Sequence, residues 1–349
     1  MTAPLMIGSR RVGEGEPCLV IAEAGSNHNG SLDTARELID VAAGAGADAV
    51  KFQIFRARKL YPQTAGATAY LGMDKSIFDI IAGMEMPYEW LPALADHCRA
   101  RGVMFMASVF DEESTDRLDP FVDVFKVASY EMTHTPLLRY VAGRGKPVLM
   151  STGTASLDEV AESVDAFRSA GGTSLGLFQC TAAYPAPLDS INLRAMRTME
   201  DRFGVPAGLS DHSRDPLIAP IAAVALGAAF IEKHFTLSND LPGPDHRYAI
   251  EPGELEAMVA AIRNTELALG TGRKDVQPVE GELRAFARRS IFTMREIAEG
   301  ETFTADNIAV LRCGQNAAGL PPRAFDDVVG RKAARALDAG CAINAGDYV

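Results

Sequence analysis

The chain has 349 residues, 47% of them hydrophobic, which is long for one minimal domain and ample for a large core. Its formal net charge of −12 argues against a nucleic-acid or anionic-membrane surface, because such partners need basic patches. The five cysteines (Cys18, Cys98, Cys180, Cys313, Cys341) form no CxxC pair, the N-terminal MTAPLMIGSRR lacks a signal-peptide core, and no apolar run approaches a membrane span, so a reduced, cytoplasmic protein is expected.

Apolar runs recur along the chain with helix-forming segments between them. In order they are CLVIAEAG, DAVKFQIF, VMFMASVF, VDVFKVASYE, PVLMSTG, SLGLFQCTAAYP, VPAGLSDH and AFIEKHFT. The first is followed by GSNHNGS, where Asn29-Gly30 signals a turn that His28 and Asn27 either shape or use for ligand contact. The intervening LDTARELIDVAAGAGA, TPLLRYVAGRG and SLDEVAESVDAFRSAGG carry glycine at or beside their ends, the expected helix C-cap, just before the next strand. His97, within LADHCRA, reads as structural, and His134 and His246 fall in loops at the active face. Eight strand–helix units of near-continuous apolar strands predict an α/β fold, a (β/α)8 TIM barrel, over residues 1–270. No GxGxxG turn follows the first strand, which weakens a dinucleotide fold. TGRKDVQPVEGE loses periodicity, so 271–285 is expected to be a linker, and SIFTM and IAVLR predict a small β-rich domain over 286–349.

In such barrels the site lies at the carboxyl ends of the strands. The polar residues there are Glu23, Lys51 and Gln53, Ser108, Lys126 with Ser129 and Glu131, Ser151 and Thr152, Thr181 and Tyr184, Ser210 with Asp211 and His212, and His234, all expected to converge. A lysine inside an apolar strand needs an anionic partner. For Lys51 and Lys126 that partner is either a bound phosphate or carboxylate, helped by Ser108, Ser129 and Ser151, or an internal salt bridge to Glu23 or Glu131. His212 and His234 close adjacent units and suit either a Mn, Zn or Fe site with open positions or hydrogen bonding alone. Glu131 is a candidate general acid/base.

IAEAGSNHNGSLDTARELIDVAAGAGADAVKFQ, FKVASYE, STGTASL, CTAAYPAP, GLSDHS, IEKHFTL and GPDH together resemble the sialic acid synthase family, the phosphoenolpyruvate-dependent nonulosonic acid synthases. ARRSIFTMREIAEGETFTADNIAVLR with GLPPRAFDDVVGRKAARAL is similar to that family's C-terminal antifreeze-like (β-clip) domain, so the resemblance covers nearly the whole chain. It implies a transferase that condenses phosphoenolpyruvate with an N-acetylhexosamine and water, giving a nine-carbon 2-keto acid and phosphate. It implies a divalent metal, manganese first with Mg2+ or Co2+ as alternatives, held by His212 and His234 to polarise the sugar aldehyde. Lys51, Ser108, Lys126, Ser129, Ser151 and Ser210 would hold phosphoenolpyruvate, Glu131 and Glu23 would flank the reacting carbons, and Gln53, Tyr184 and Asp245 would face the sugar. A homodimer is implied, in which the tail of one subunit brings Arg312 to the sugar of the other.

Two departures bear on the sugar rather than the reaction: Ala182 stands where several relatives have asparagine, and RCGQN where they read RPGNG. GPDH favours a sialic or legionaminic type of sugar over a pseudaminic one. The rival on the same barrel is an octulosonate or heptulosonate phosphate type of condensation, for which the only cations near the sugar end would be Arg312, Arg56, Arg58 and Arg247. A noncatalytic glycan-binding relic is the reading from another class. The intact His212, His234, Lys51, Lys126 and Glu131 speak against it.

Overall fold

The computed structural model describes residues 3–67 and 75–349, so Met1 and Thr2 of the N-terminal stretch lie outside the described residues. Two compact units divide the chain, Met1–Gly270 and Thr271–Val349. Among the described residues no helix is long and apolar enough to cross a membrane.

The first unit opens with a hairpin that the strand reading did not include, β1 (Leu5–Ile7) and β2 (Arg10–Val12), paired antiparallel. Eight parallel strands follow: β3 (Leu19–Gly25), β4 (Ala49–Gln53), β5 (Met104–Val109), β6 (Phe125–Val127), β7 (Val148–Ser151), β8 (Leu175–Cys180), β9 (Ala207–Asp211) and β10 (Phe230–His234). They close into a barrel in chain order, β10 pairing back to β3 with His234 opposite Glu23. Each expected apolar run supplies one strand. The strands are buried on both faces, which is why they read as continuous rather than alternating.

Period two still decides which side chains enter the barrel. Leu19, Ile21, Ala49, Met106, Val124, Leu149, Phe178 and Phe230 pack inside with Leu5, Ile7 and Val12, so the hairpin closes the amino-terminal end of the barrel. The rings of Phe178 and Phe230 meet edge-on with centroids 4.5 Å apart. Gly208 makes room for them: a Cβ there would lie 2.1 Å from the Phe230 carbonyl oxygen. Helices fill the outer layer, and their ends follow the expected chemistry. Ser31 caps the helix Leu32–Gly44 by accepting from the Thr34 N–H, and Gly46, Gly145 and Gly171 adopt positive φ just before β4, β7 and β8.

In the second unit β11 (Arg289–Thr293) pairs antiparallel with β12 (Ile308–Arg312) over a core of Ile291, Ile297, Phe303, Ile308, Val328, Leu337 and Ile343. The stretch 271–285 contains a single turn at Pro278–Glu280 and most of a short helix, Gly281–Ala287.

Candidate active site

One layer above the Phe178–Phe230 floor, the inward positions turn polar. Glu23, Lys51, Ser108, Lys126, Ser151, Ser210 and Glu232 line a cavity of about 110 Å³ together with Ser129, Glu131, His212 and His234. Strand register explains the gathering, since Glu23 lies opposite Lys51, and Ser108 opposite Lys126, across the ladder.

The two lysines differ. Lys51 is 2% exposed, with Nζ 2.5 Å from Glu23 Oε2, and it donates to Ser108 Oγ at 3.0 Å. The internal salt bridge left open by the sequence is therefore real for Lys51. Lys126, equally buried, donates to Ser151 Oγ at 2.7 Å and has Glu232 Oε1 only at 3.9 Å. Burial pushes the Lys126 ammonium down and Glu232 only partly offsets it, whereas for Lys51 the paired carboxylates overcome burial and raise it. An incoming anion thus has most to gain beside Lys126.

Glu232 is a charged residue of the inner cavity that sequence reasoning missed. It sits 3.6 Å from Lys51 Nζ and accepts from Ser210 Oγ at 3.2 Å. Burial pushes its carboxyl up, but Lys126 and Lys51 together leave it below its ordinary range. The signal was available: with His234 pointing inward, period two sends Glu232 inward too and Lys233 outward. Lys233 instead pairs with Asp211 at 2.5 Å on the opposite face of the strands, so Asp211 does not converge on the site as expected. Thr152 and Thr181 also leave it, spending their hydroxyls on the carbonyls of Phe178 and Ser190.

Two further carboxyls are perturbed. Glu131, on the turn Ser129–Glu131 after β6, is 8% exposed, keeps Oε2 without a hydrogen bond, and is pushed up to about 7, chiefly by burial. Burial also raises Glu23 to about 7 against the pull of Lys51, and Gln53 donates to its Oε1 at 2.7 Å. Ser129 Oγ accepts the Gly153 N–H at 3.0 Å, which fixes that hydroxyl at the rim.

His212 and His234 stand with ring centroids 5.5 Å apart. His212 Nδ1 donates to the Thr181 carbonyl at 2.9 Å, leaving Nε2 with its lone pair. His234 Nδ1 is buried without a partner, and burial, then the nearby His212, hold this ring well below its ordinary protonation range. The Cys180 thiol and the Thr181 carbonyl raise His212 against its burial, so His234 is the ring held neutral; with their second nitrogens so disposed, the pair suits a divalent ion with open positions. Among the described residues no group of three or more His, Cys, Asp or Glu is arranged to hold a metal, so protein ligands beyond this pair are not offered.

Outside this layer lies a cavity of about 700 Å³ that shares Gln53, Tyr130, Tyr184 and His234 with the inner one and adds Asp245, Arg247 and Tyr248. Tyr184 stacks 4.2 Å from the His212 ring and 5.1 Å from Tyr248. Burial raises the Asp245 carboxyl, which Tyr248 holds by a hydrogen bond. Tyr130 and Tyr248 were not singled out from sequence, because an aromatic in a loop carries no periodic signal.

The remaining histidines are accounted for. His97 pairs with Asp40, His134 caps the helix Thr135–Ala142, His28 accepts from the Gly30 N–H, and His246 bridges Thr236 and Asn29. Arg56 is spent on the carbonyls of Phe55 and Met86, and Arg58 lies near Glu113. Arg312 belongs to the second unit, exposed on β12 opposite Arg289.

Comparison with known proteins agrees from end to end. Residues 38–274 match the NeuB family model and residues 288–349 the SAF domain. The spore coat polysaccharide biosynthesis protein SpsE of Bacillus subtilis is 45% identical, over 93% of this chain and 91% of that protein. The N,N'-diacetyllegionaminic acid synthase of Legionella pneumophila is 37% identical over 95% of both. A crystal structure of the Bacillus subtilis SpsE protein superposes with a TM-score of 0.68 at 43% identity, covering 99% of each chain.

Proposed function

The chain belongs to the NeuB family of synthases, and from that premise we propose that it condenses phosphoenolpyruvate with an open-chain N-acylated hexosamine and water, releasing phosphate and a nonulosonic acid. The observation that carries this is the under-neutralised Lys126 ringed by Ser151, Ser129 and Ser210 beside Lys51, next to a carboxyl raised to about 7 and a pair of imidazoles of which His234 is held neutral.

Lys126 and Lys51, with the surrounding hydroxyls, hold the phosphate and carboxylate of phosphoenolpyruvate in the inner cavity. The methylene carbon then faces outward, toward the sugar aldehyde. As the carbon–carbon bond forms, the aldehyde oxygen takes up a proton and carbon 2 becomes cationic. Water adds there, its proton is lost, and the carbon–oxygen bond to phosphate breaks. Glu131 and Glu23, both poised near neutrality, are the groups able to give and accept these protons. His212 and His234 would hold a divalent ion, manganese by the family's habit, which supplies Lewis-acid polarisation of the aldehyde when bound. Gln53, Tyr184, Tyr248 and Asp245 hold the sugar, and Arg312 of a second copy completes that contact in a homodimer.

The test is phosphate release from phosphoenolpyruvate across a panel of N-acylhexosamines, with enzyme stripped by chelator as control. Turnover should require both a hexosamine and a divalent ion. Release with no hexosamine of the panel, or full activity after exhaustive chelation, refutes the reading.

A further inference from the structure

Behind His212 and His234, on the face of the strands that turns away from the inner cavity, lies a buried ionic knot. Lys233 and Asp211 stand opposite one another on β10 and β9, each 1% exposed. The Lys233 ammonium donates to Asp211 Oδ2 at 2.5 Å and to the Ser213 carbonyl at 2.6 Å. Asp211 also accepts the Ser213 N–H on Oδ1 at 2.8 Å and the Ser213 hydroxyl on Oδ2 at 3.1 Å. One ammonium thus grips the residues on both sides of His212, and it belongs to the residue immediately before His234.

The strand ladder does not by itself relate the two rings. Pairing between β9 and β10 ends at Asp211 and Lys233, so His212 stands past the last paired position of its strand. Its carbonyl accepts the Ala186 N–H at 2.9 Å and its ring donates to the Thr181 carbonyl, and both bonds fix it to the loop after β8 rather than to β10. His234 is held in register opposite Glu23 on β3, with its carbonyl accepting the Ile250 N–H at 3.0 Å. Lys233 supplies the tie between them. A buried ion pair returns little net stability once desolvation is counted, so stability alone does not account for two charges placed here. Two imidazoles sharing one ion have a use for it, because ligand geometry must be held to about 0.5 Å.

Resting on the metal-assisted condensation proposed above, we infer that Lys233 and Asp211 are positioning residues: with Ser213, their ion pair sets the spacing of the His212 and His234 rings and so the affinity for the divalent ion.

The experiment titrates Mn2+ alone into the chelator-stripped full chain, reading the free ion by electron paramagnetic resonance, and measures phosphoenolpyruvate binding in excess EDTA by equilibrium dialysis. Lys233→Met by itself would strand the Asp211 carboxylate, so it is combined with Asp211→Asn, which keeps an acceptor for the Ser213 N–H. Asp211→Asn alone is the milder second variant, Trp90 fluorescence checks that each is folded, and His212→Ala is the control that removes a ligand. In the folded variants the Kd for Mn2+ should rise by roughly 10- to 100-fold, the cost of losing a group that orients a metal ligand, while phosphoenolpyruvate binding stays within about twofold. An unchanged Kd for Mn2+, or equal losses of Mn2+ and phosphoenolpyruvate binding, makes the pair merely structural and overturns the positioning role while leaving the condensation standing. A parent that binds no Mn2+, or a His212→Ala variant that binds it as well as the parent, overturns the metal reading and the positioning role together.

Discussion

Replacing Glu131 by glutamine should stabilise the protein above neutral pH while stopping its chemistry. The carboxyl sits at about 7 rather than the ordinary 4.5, chiefly because burial disfavours its charged form. A folded-state value above the unfolded one means that the folded chain binds the proton more tightly. The stabilisation from that proton is fully present below about pH 4.5 and is lost as pH rises through 7. At about 1.4 kcal/mol per pH unit, the gap amounts to about 3 kcal/mol of strain carried at pH 8. An amide of the same shape cannot ionise and does not carry it. The sole tryptophan, Trp90, lies in the barrel unit against His28, so its fluorescence during urea unfolding reports on that unit. Glu131→Gln should match the parent near pH 4.5 and exceed it by about 3 kcal/mol at pH 8, while phosphate release falls by roughly 10²- to 10⁴-fold. An equal stability difference at both pH values, or a less stable variant at pH 8, would refute the reasoning.

Lys126→Met removes a buried charge without opening a large cavity. The barrel should stay folded by Trp90 fluorescence while kcat/KM for phosphoenolpyruvate drops about 10²-fold, the scale of a lost charge-assisted contact; an unchanged KM for phosphoenolpyruvate would remove Lys126 from the anion site. Gly208→Ala drives a methyl to within 2.1 Å of the Phe230 carbonyl oxygen, so the unfolding free energy from urea titration should fall by about 3 kcal/mol or more; a neutral result would mean that the floor repacks. Arg312→Ala should raise the KM for the sugar at least tenfold with Trp90-reported stability unchanged, and unaltered sugar kinetics would exclude the second unit from the site.

Much of the barrel was legible before any coordinates, because eight runs buried on both faces read as apolar whichever way their side chains point. CLVIAEAG and AFIEKHFT announce strands without declaring a face. The hairpin Leu5–Val12 was not legible: with three residues in each strand it shows too little alternation to be told from a coil, and only the empty end of a closed barrel gives Leu5, Ile7 and Val12 something to pack on.

Within the site, sequence alone determined the chemistry of the ingredients: two lysines, two histidines and a set of hydroxyls at strand ends, plus Glu131. Which of them work together was a tertiary matter. Barrel closure puts β10 beside β3, so that Glu232 comes to face Lys51 and Lys126 from strands far away in the chain. The same geometry gives Glu23 to Lys51 and leaves Lys126 short of a partner. That inequality arises from distances of a few ångströms across the barrel, and electrostatic energy in a buried site depends on those distances rather than on composition.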